Sequence, residues 1–333
     1  MVGGLLPKEK AAEAYRLTIP LGLDEFSPQI PKDNPLTNEK VELGRLLFFD
    51  KRISIDERVS CASCHNPKLA FTDSQPVSSG FQGQKGKRNT PTIINRLFSS
   101  GQFWDGRADS LEEQVKAPLI NPVEMANPSH EGVVGRLKKI PGYPPLFKTA
   151  FGTEAVTMDH IAKAIASFER TVVSGNSPFD RFETGGDKKA LSESAWRGLK
   201  VFRGKGQCHL CHTGFNLTDE LYHNLGAGWA ESEKDRDLGR YAVTRKEEDK
   251  GKFKTPTLRE IEKTGPYMHD GSLRTLEEVI DFYDRGGNKN PNLDFEMRPL
   301  KLTPQEKRDL LEFLRSLSGA GWQKIMPPAR FPE

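Results

Sequence analysis

The chain has 333 residues, enough for two domains that each bury a core of their own. Its 49 basic and 46 acidic side chains leave a formal charge of +3, too balanced to point to nucleic acid or another polyanion as partner. At 35% hydrophobic, with no apolar run near the ~18 residues of a spanning helix, the composition excludes a membrane span as well.

The opening MVGGLLPKEK carries neither the basic n-region nor the apolar h-region of a secretory leader, as expected of an already processed chain. A first helix is expected behind the N-cap Thr37, running through Gly44-Arg-Leu-Leu-Phe48. Next comes Cys61-Ala-Ser-Cys-His65. The same order returns later: an N-cap at Ser192, a helix through Gly198-Leu-Lys-Val-Phe202, then Cys208-His-Leu-Cys-His212. These four cysteines are the only ones in the chain. A C-x-x-C-H unit offers two thiols that add to the vinyl groups of haem and a histidine placed under the iron. A zinc site of two cysteine pairs or a thioredoxin-like redox pair would also use C-x-x-C, but neither needs a histidine directly after each pair. The reading is therefore two covalently bound c-type haems, held by Cys61, Cys64 and His65 and by Cys208, Cys211 and His212. Such haems are attached outside the cytoplasm, so a periplasmic location is expected.

The repeat extends beyond the motifs. TPTIINRLFSSGQFWDGRADSLEE from Thr90 aligns without a gap on TPTLREIEKTGPYMHDGSLRTLEE from Thr255, setting Asp105-Gly106 on Asp270-Gly271. Ile165, Phe168 and Thr171 match Leu310, Phe313 and Ser316 at helical spacing in a closing helix of each half. Runs with strand alternation are few. The expected fold is all-α, with two cytochrome-c-like domains over residues 1–173 and 174–333 and a C-terminal tail able to pack back on the first. The segment Val173–Lys189, polar and glycine-bearing, reads as the junction.

After the shared Leu-Glu-Glu the first half runs to Val123-Glu-Met125 and the second to Phe295-Glu-Met297. A segment in this position would cross the open face of its haem. Met297 can then supply a thioether as sixth ligand, which raises the potential and suits electron transfer; the plainer alternative is a gap-filling core methionine. The first half offers Glu124, a carboxylate able to move a proton above an open iron. Its alternatives are a surface Glu124, or Met125 closing the site as a ligand. His209 is expected to face solvent or a propionate, and His130, His160 and His223 to be surface or satisfied histidines.

On the two C-x-x-C-H units, FWDGR (Phe103–Arg107), EQVKAPLINPVEM (Glu113–Met125), GPYMHDGS (Gly265–Ser272) and FEMRPL (Phe295–Leu300), the chain resembles the bacterial dihaem cytochrome c peroxidases and the related MauG proteins, from about Leu36 to Gly319. The resemblance implies that Glu124 shuttles the proton, with Gln114 as a polar neighbour, and that Trp104 bridges the haems for electrons. It implies Met297 as distal ligand, where MauG carries a tyrosine, and His269 near the haem contacts and propionates. A calcium ion between the domains is implied at Asn89, Thr264 and Pro266, whose oxygens suit a hard cation. The implied reaction is reduction of hydrogen peroxide, with electrons from a small soluble donor, a cytochrome c or a cupredoxin, by a homodimer. Two other readings stay open: MauG-like oxidation of a protein side chain, and a dihaem electron carrier without catalysis. One departure stands out. Many relatives carry a capping histidine in the loop that here reads SSGFQGQKGKRN, Ser78–Asn89, and its position falls on Phe81 or Gln82. Neither replaces imidazole as an iron ligand, so the first haem is expected to be open in the oxidised protein.

Overall fold

The computed structural model describes residues 13–333; the opening decapeptide, expected not to be a leader, lies outside them. Helices and long loops account for nearly all of the described chain. In chain order the helices are α1 (Asn38–Phe49), α2 (Cys61–Cys64), α3 (Leu111–Ile120), α4 (His130–Lys138), α5 (Tyr143–Phe151), α6 (Met158–Glu169), α7 (Pro178–Glu183), α8 (Glu193–Arg203), α9 (Tyr241–Thr244), α10 (Leu276–Asp284) and α11 (Pro304–Arg315). Four two-residue strands form two antiparallel pairs: β1 (Ser174–Gly175) with β4 (Ala320–Gly321), and β2 (Tyr222–His223) with β3 (Phe253–Lys254).

The expected caps start the expected helices. Thr37 Oγ1 accepts from Lys40 N at 3.3 Å to open α1, and Ser192 Oγ accepts from Ala195 N at 3.1 Å to open α8. Each of these helices crosses the closing helix of its half at a glycine. A Cβ on Gly44 would stand 1.9 Å from the Ala164 carbonyl oxygen of α6, and one on Gly198 would stand 1.9 Å from the Asp309 carbonyl oxygen of α11. Only a residue without a Cβ permits so close an approach, and the repeat places one at both crossings. Phe168 and Phe313 pack beside the two glycines in turn.

Two hydrophobic cores form around these crossings. The first gathers Leu47, Phe48, Phe71, Ile161 and Phe168; the second gathers Leu199, Phe202, Ile280, Leu310 and Phe313. Trp322, far along the chain, is buried in the first core edge-on to Phe71, with ring centroids 6.4 Å apart. The residues after it stay on the first half. Arg45 donates to Met326 O at 3.0 Å, Arg52 to Pro332 O at 2.9 Å, and Gly142 N to Glu333 O at 2.8 Å.

The first part of the segment read as the junction is packed: Ser174 and Ser177 are fully buried, β1 pairs with β4, and Phe179 meets Phe313 edge-on at 5.5 Å, whereas residues 183–189 are exposed. Its buried polar groups are satisfied internally. Asp180 accepts from Ser177 N and Oγ and forms a buried 2.5 Å ion pair with Arg259. Charges removed from water persist only when paired in this way. The repeat reappears in the same region. Ser174 N donates to the side chain of Asn95 at 2.8 Å, and Gly319 N donates to that of Glu260 at 2.6 Å. Asn95 and Glu260 both adopt φ of +61°.

Candidate functional site

The two motif histidines are set up alike. His65 lies at the end of α2, with Nδ1 3.1 Å from the Phe71 carbonyl oxygen; His212 has Nδ1 3.1 Å from the Leu217 carbonyl oxygen. A carbonyl can only accept, so Nδ1 carries the proton and donates, and the Nε2 lone pair is left for a metal. Burial holds both rings below the usual histidine pKa, which keeps them neutral as ligands must be. The four cysteines are free thiols, and burial pushes the thiol of Cys64 up to about 11 and that of Cys208 up to about 12. No cysteine pairs with another, and each couple flanks a neutral, pre-oriented imidazole. These residues fit c-type haem in both halves.

Beside the first motif, Glu124 is half-buried just beyond α3. Burial raises its pKa, against the pull of the Arg107 guanidinium and a 2.6 Å hydrogen bond from Asn121 Nδ2 to Oε1. It is close enough to Cys61 and Cys64 for its charge to help raise both thiols. Met125 points elsewhere: it is buried in the first core. Gln114 is half-buried on α3, and no hydrogen bond among the described residues joins it to Glu124. The Ser78–Asn89 loop lies directly on this segment. Phe81 N donates to the carbonyl oxygens of Val123 at 2.9 Å and Glu124 at 2.8 Å. A Cβ on Gly80 would meet Val123 O at 2.2 Å, so the glycine is what lets the loop approach. Phe81 is half-buried there, whereas Gln82 is exposed with φ of +52°.

The second half holds a deep cavity whose wall includes His212, Met297, Tyr283, Ile280 and Leu300. The first half reaches into the same cavity with Asn89, Thr90, Pro91 and Trp104. The Trp104 indole Nε1 donates to Asn89 O at 2.8 Å, and its carbonyl accepts from Lys254 N at 2.7 Å. His269 is buried on the wall, stacked on Phe253 with centroids 3.5 Å apart, and desolvation lowers its pKa to about 4. Its carbonyl accepts from Asn89 N at 2.7 Å. Thr264 and Pro266 line the cavity too, as does Asn89, the third residue singled out for calcium. Asn89 Nδ2 donates to Gln75 O at 2.9 Å, which leaves Oδ1 as the ligand atom it would offer a hard cation.

The remaining histidines divide. His130 Nε2 lies 3.0 Å from Lys116 O and His160 Nδ1 2.9 Å from Ala155 O; both are satisfied outside the cavities. His209, expected to face solvent or a propionate, is half-buried, and its Nδ1 is buried without a protein partner. His223 is satisfied too, but inside the second cavity, with each ring nitrogen on a carboxylate, Asp219 at 2.9 Å and Asp294 at 2.8 Å. Those hydrogen bonds push its pKa up to about 12. Nothing in its sequence neighbourhood marks it, because Asp294 lies 71 positions away. Lys254 was missed for the same reason. Burial and Arg96 bring its ammonium down to about 7 while Glu220 holds it, and no motif contains it.

Residues 38–189 match the family model for di-haem cytochrome c peroxidase. The methylamine utilization protein MauG of Methylorubrum extorquens is 46% identical over 288 residues, covering 86% of this chain and 80% of that protein. The cytochrome-c peroxidase IdrP1 of a Pseudomonas species is 41% identical over 318 residues, covering 87% and 83%. A crystal structure of a MauG-like protein associated with microbial copper homeostasis superposes with a TM-score of 0.84 at 34% identity, over 93% of this chain and 97% of that one.

Proposed function

Because the chain belongs to the di-haem cytochrome c peroxidase family, which includes both peroxidases and MauG proteins, we propose that it is a peroxidase that reduces hydrogen peroxide to water. Electrons come from a small soluble redox protein, enter at the His212/Met297 side and pass to the His65 side. The observation that carries this reading is Met297 in the wall of the His212 cavity, opposite in kind to the carboxylate beside the first motif. Each haem, when bound through its cysteine pair, supplies an iron that changes oxidation state.

The residues divide the rest of the work. His65 and His212 would offer Nε2 to the irons, each ring being held in register by the carbonyl at Nδ1. Met297 would supply its thioether to the iron held by His212, which would leave that half no place for substrate. Glu124 takes a proton from the nearer peroxide oxygen and returns it to the departing one. Its raised pKa brings it closer to the range in which a carboxylate exchanges protons readily near neutrality. Asn121 holds one oxygen of that carboxylate, leaving the other for the proton. Two electrons and two further protons complete two waters per peroxide. Trp104, anchored at both its indole and its carbonyl, is the bridge for the electrons, and Asn89, Thr264 and Pro266 hold calcium beside it. Gln114 is a polar neighbour of the peroxide pocket, and His269 a contact of the second haem. No helix among the described residues is long and apolar enough to cross a membrane, in keeping with a periplasmic enzyme; a homodimer is part of the same proposal.

The similarity to MauG favours a second reading, oxidation of a protein side chain. A methionine at 297, in place of the tyrosine the resemblance assigns to MauG, weighs against it. Steady-state consumption of peroxide by the haem-loaded protein with a reduced cytochrome c or cupredoxin decides between them. Turnover that follows donor oxidation at two electrons per peroxide supports the peroxidase. Absence of donor-dependent turnover, together with oxidation of a protein side chain, overturns it.

A further inference from the structure

His223 has a geometry that neither the electron path nor the proton path uses. It sits in β2, and its Nδ1 and Nε2 lie 2.8 Å and 2.9 Å from carboxylate oxygens of Asp294 and Asp219. A neutral imidazole has one N–H and would turn a lone pair on one of these carboxylates. The imidazolium has two donors for the two acceptors, so charge and hydrogen bonding agree on the doubly protonated ring.

The two carboxylates come from two different segments, Asp294 from the lining of the second cavity and Asp219 from the chain after the second motif. Asp219 N donates to Cys211 O at 2.8 Å, directly beside the proximal His212. Asp294 begins the turn that delivers the distal residue, with Met297 N donating to Asp294 O at 3.0 Å. Asp294 is in turn latched to the strand of His223: its N donates to Asn224 O at 3.0 Å, and its Oδ2 accepts from Asn224 N at 3.2 Å. Apolar packing does little for this turn, since Phe295 is 87% exposed and Pro291, Arg298 and Pro299 are exposed as well. Cys211, Asp219 and His223 stand within 4.8 Å of one another, like a metal cluster. In a c-type site, however, the Cys211 sulfur is spent in the thioether, and the remaining charges are one cation between two anions.

We propose that His223 is a positioning residue of the second haem, an imidazolium clasp that ties the Met297 turn to the segment after His212 and so keeps the thioether over the iron. The proposal rests on the reading of Met297 as a haem ligand. The test uses the haem-loaded wild type with His223→Leu, His223→Gln and Asp294→Asn. Two quantities are followed: the far-red charge-transfer absorption of a ferric thioether-ligated haem, and the potential of the second haem in a reductive titration. Loss of a charge-assisted pair shifts the balance between bound and released methionine by roughly tenfold or more. His223→Leu and Asp294→Asn therefore lose absorption and shift the second haem to lower potential, while the His65 haem keeps its spectrum. His223→Gln, which retains one donor, falls between. If His223→Leu fails to fold or to take up haem, Asp294→Asn and His223→Gln carry the same comparison. An absorption band present in wild type and unchanged in the folded variants overturns the clasp and leaves Met297 ligation standing. A band absent from wild type overturns Met297 ligation, and the clasp with it.

Discussion

The two halves are the same scaffold with different lids. At the motif histidines and the helix crossings they agree: a 3.1 Å hydrogen bond orients each histidine, and a 1.9 Å approach is permitted by each crossing glycine. Beyond α3 and α10 they part. The first half turns tightly through Asn121 and places Glu124 under the Phe81 loop; the second takes a longer path, tied to His223, and presents Met297. The interior differs at further repeat positions, and one of them carries a charge. Glu169 ends α6 in the first core, where the corresponding residue of α11 is Leu314. The two halves thus differ chiefly in the side chains their lids present, Glu124 in the first and Met297 in the second.

The largest effect comes from the first lid. Glu124→Gln keeps both haems and the fold and lowers peroxide turnover by about 10²–10⁴-fold, measured at steady state with saturating donor. Wild-type turnover would remove Glu124 from the proton path. Next is the buried acid. Glu169 is pushed from the usual 4.5 up to about 8 by burial, with one carboxylate oxygen lacking a partner. A carboxyl with a raised folded pKa stabilises the fold fully below the unfolded value and loses that contribution as pH climbs through the folded one. Stability therefore falls by about 1.4 kcal/mol per pH unit across that window. Glu169→Leu, which copies the second half, flattens this slope in denaturant titrations between pH 4.5 and 8.

The shared scaffold gives a matched pair. Gly44→Ala and Gly198→Ala each force a Cβ against a backbone carbonyl, and each costs about 1–3 kcal/mol in denaturant unfolding. A large difference between them would show that the two crossings are not equivalent. The smallest change is Phe81→His, at a half-buried loop position where substitution stays within about 0.5 kcal/mol of stability. Its signature is kinetic. Fully oxidised wild type reacts with peroxide in a stopped-flow mixing experiment without prior reduction, and Phe81→His does not react until one electron has been supplied. An inert oxidised wild type would mean that another group closes the first site. Position 81 is the one substituted because the Phe81 backbone is bonded to the carbonyls of Val123 and Glu124; Gln82→His is the matching test at the other position.

The motifs, the internal repeat, the caps Thr37 and Ser192 and the crossing glycines are legible in the sequence, because each is a local pattern whose spacing is dictated by helix geometry or by the reach of one porphyrin edge. Those patterns determine that the chain is mostly helical, doubled, and equipped for two haems, and they already separate Glu124 from Met297. Other features have no such spacing. His223 meets Asp294 from 71 positions away, Asp180 meets Arg259 from 79, and Trp322 fills a core built from residues 43–172. A hydrogen bond or an ion pair requires only that two groups arrive at the same place in a medium where water no longer competes, and nothing in the sequence on either side records the arrival. For that reason the partners of Asp180 and of His223 are decided by the tertiary structure alone.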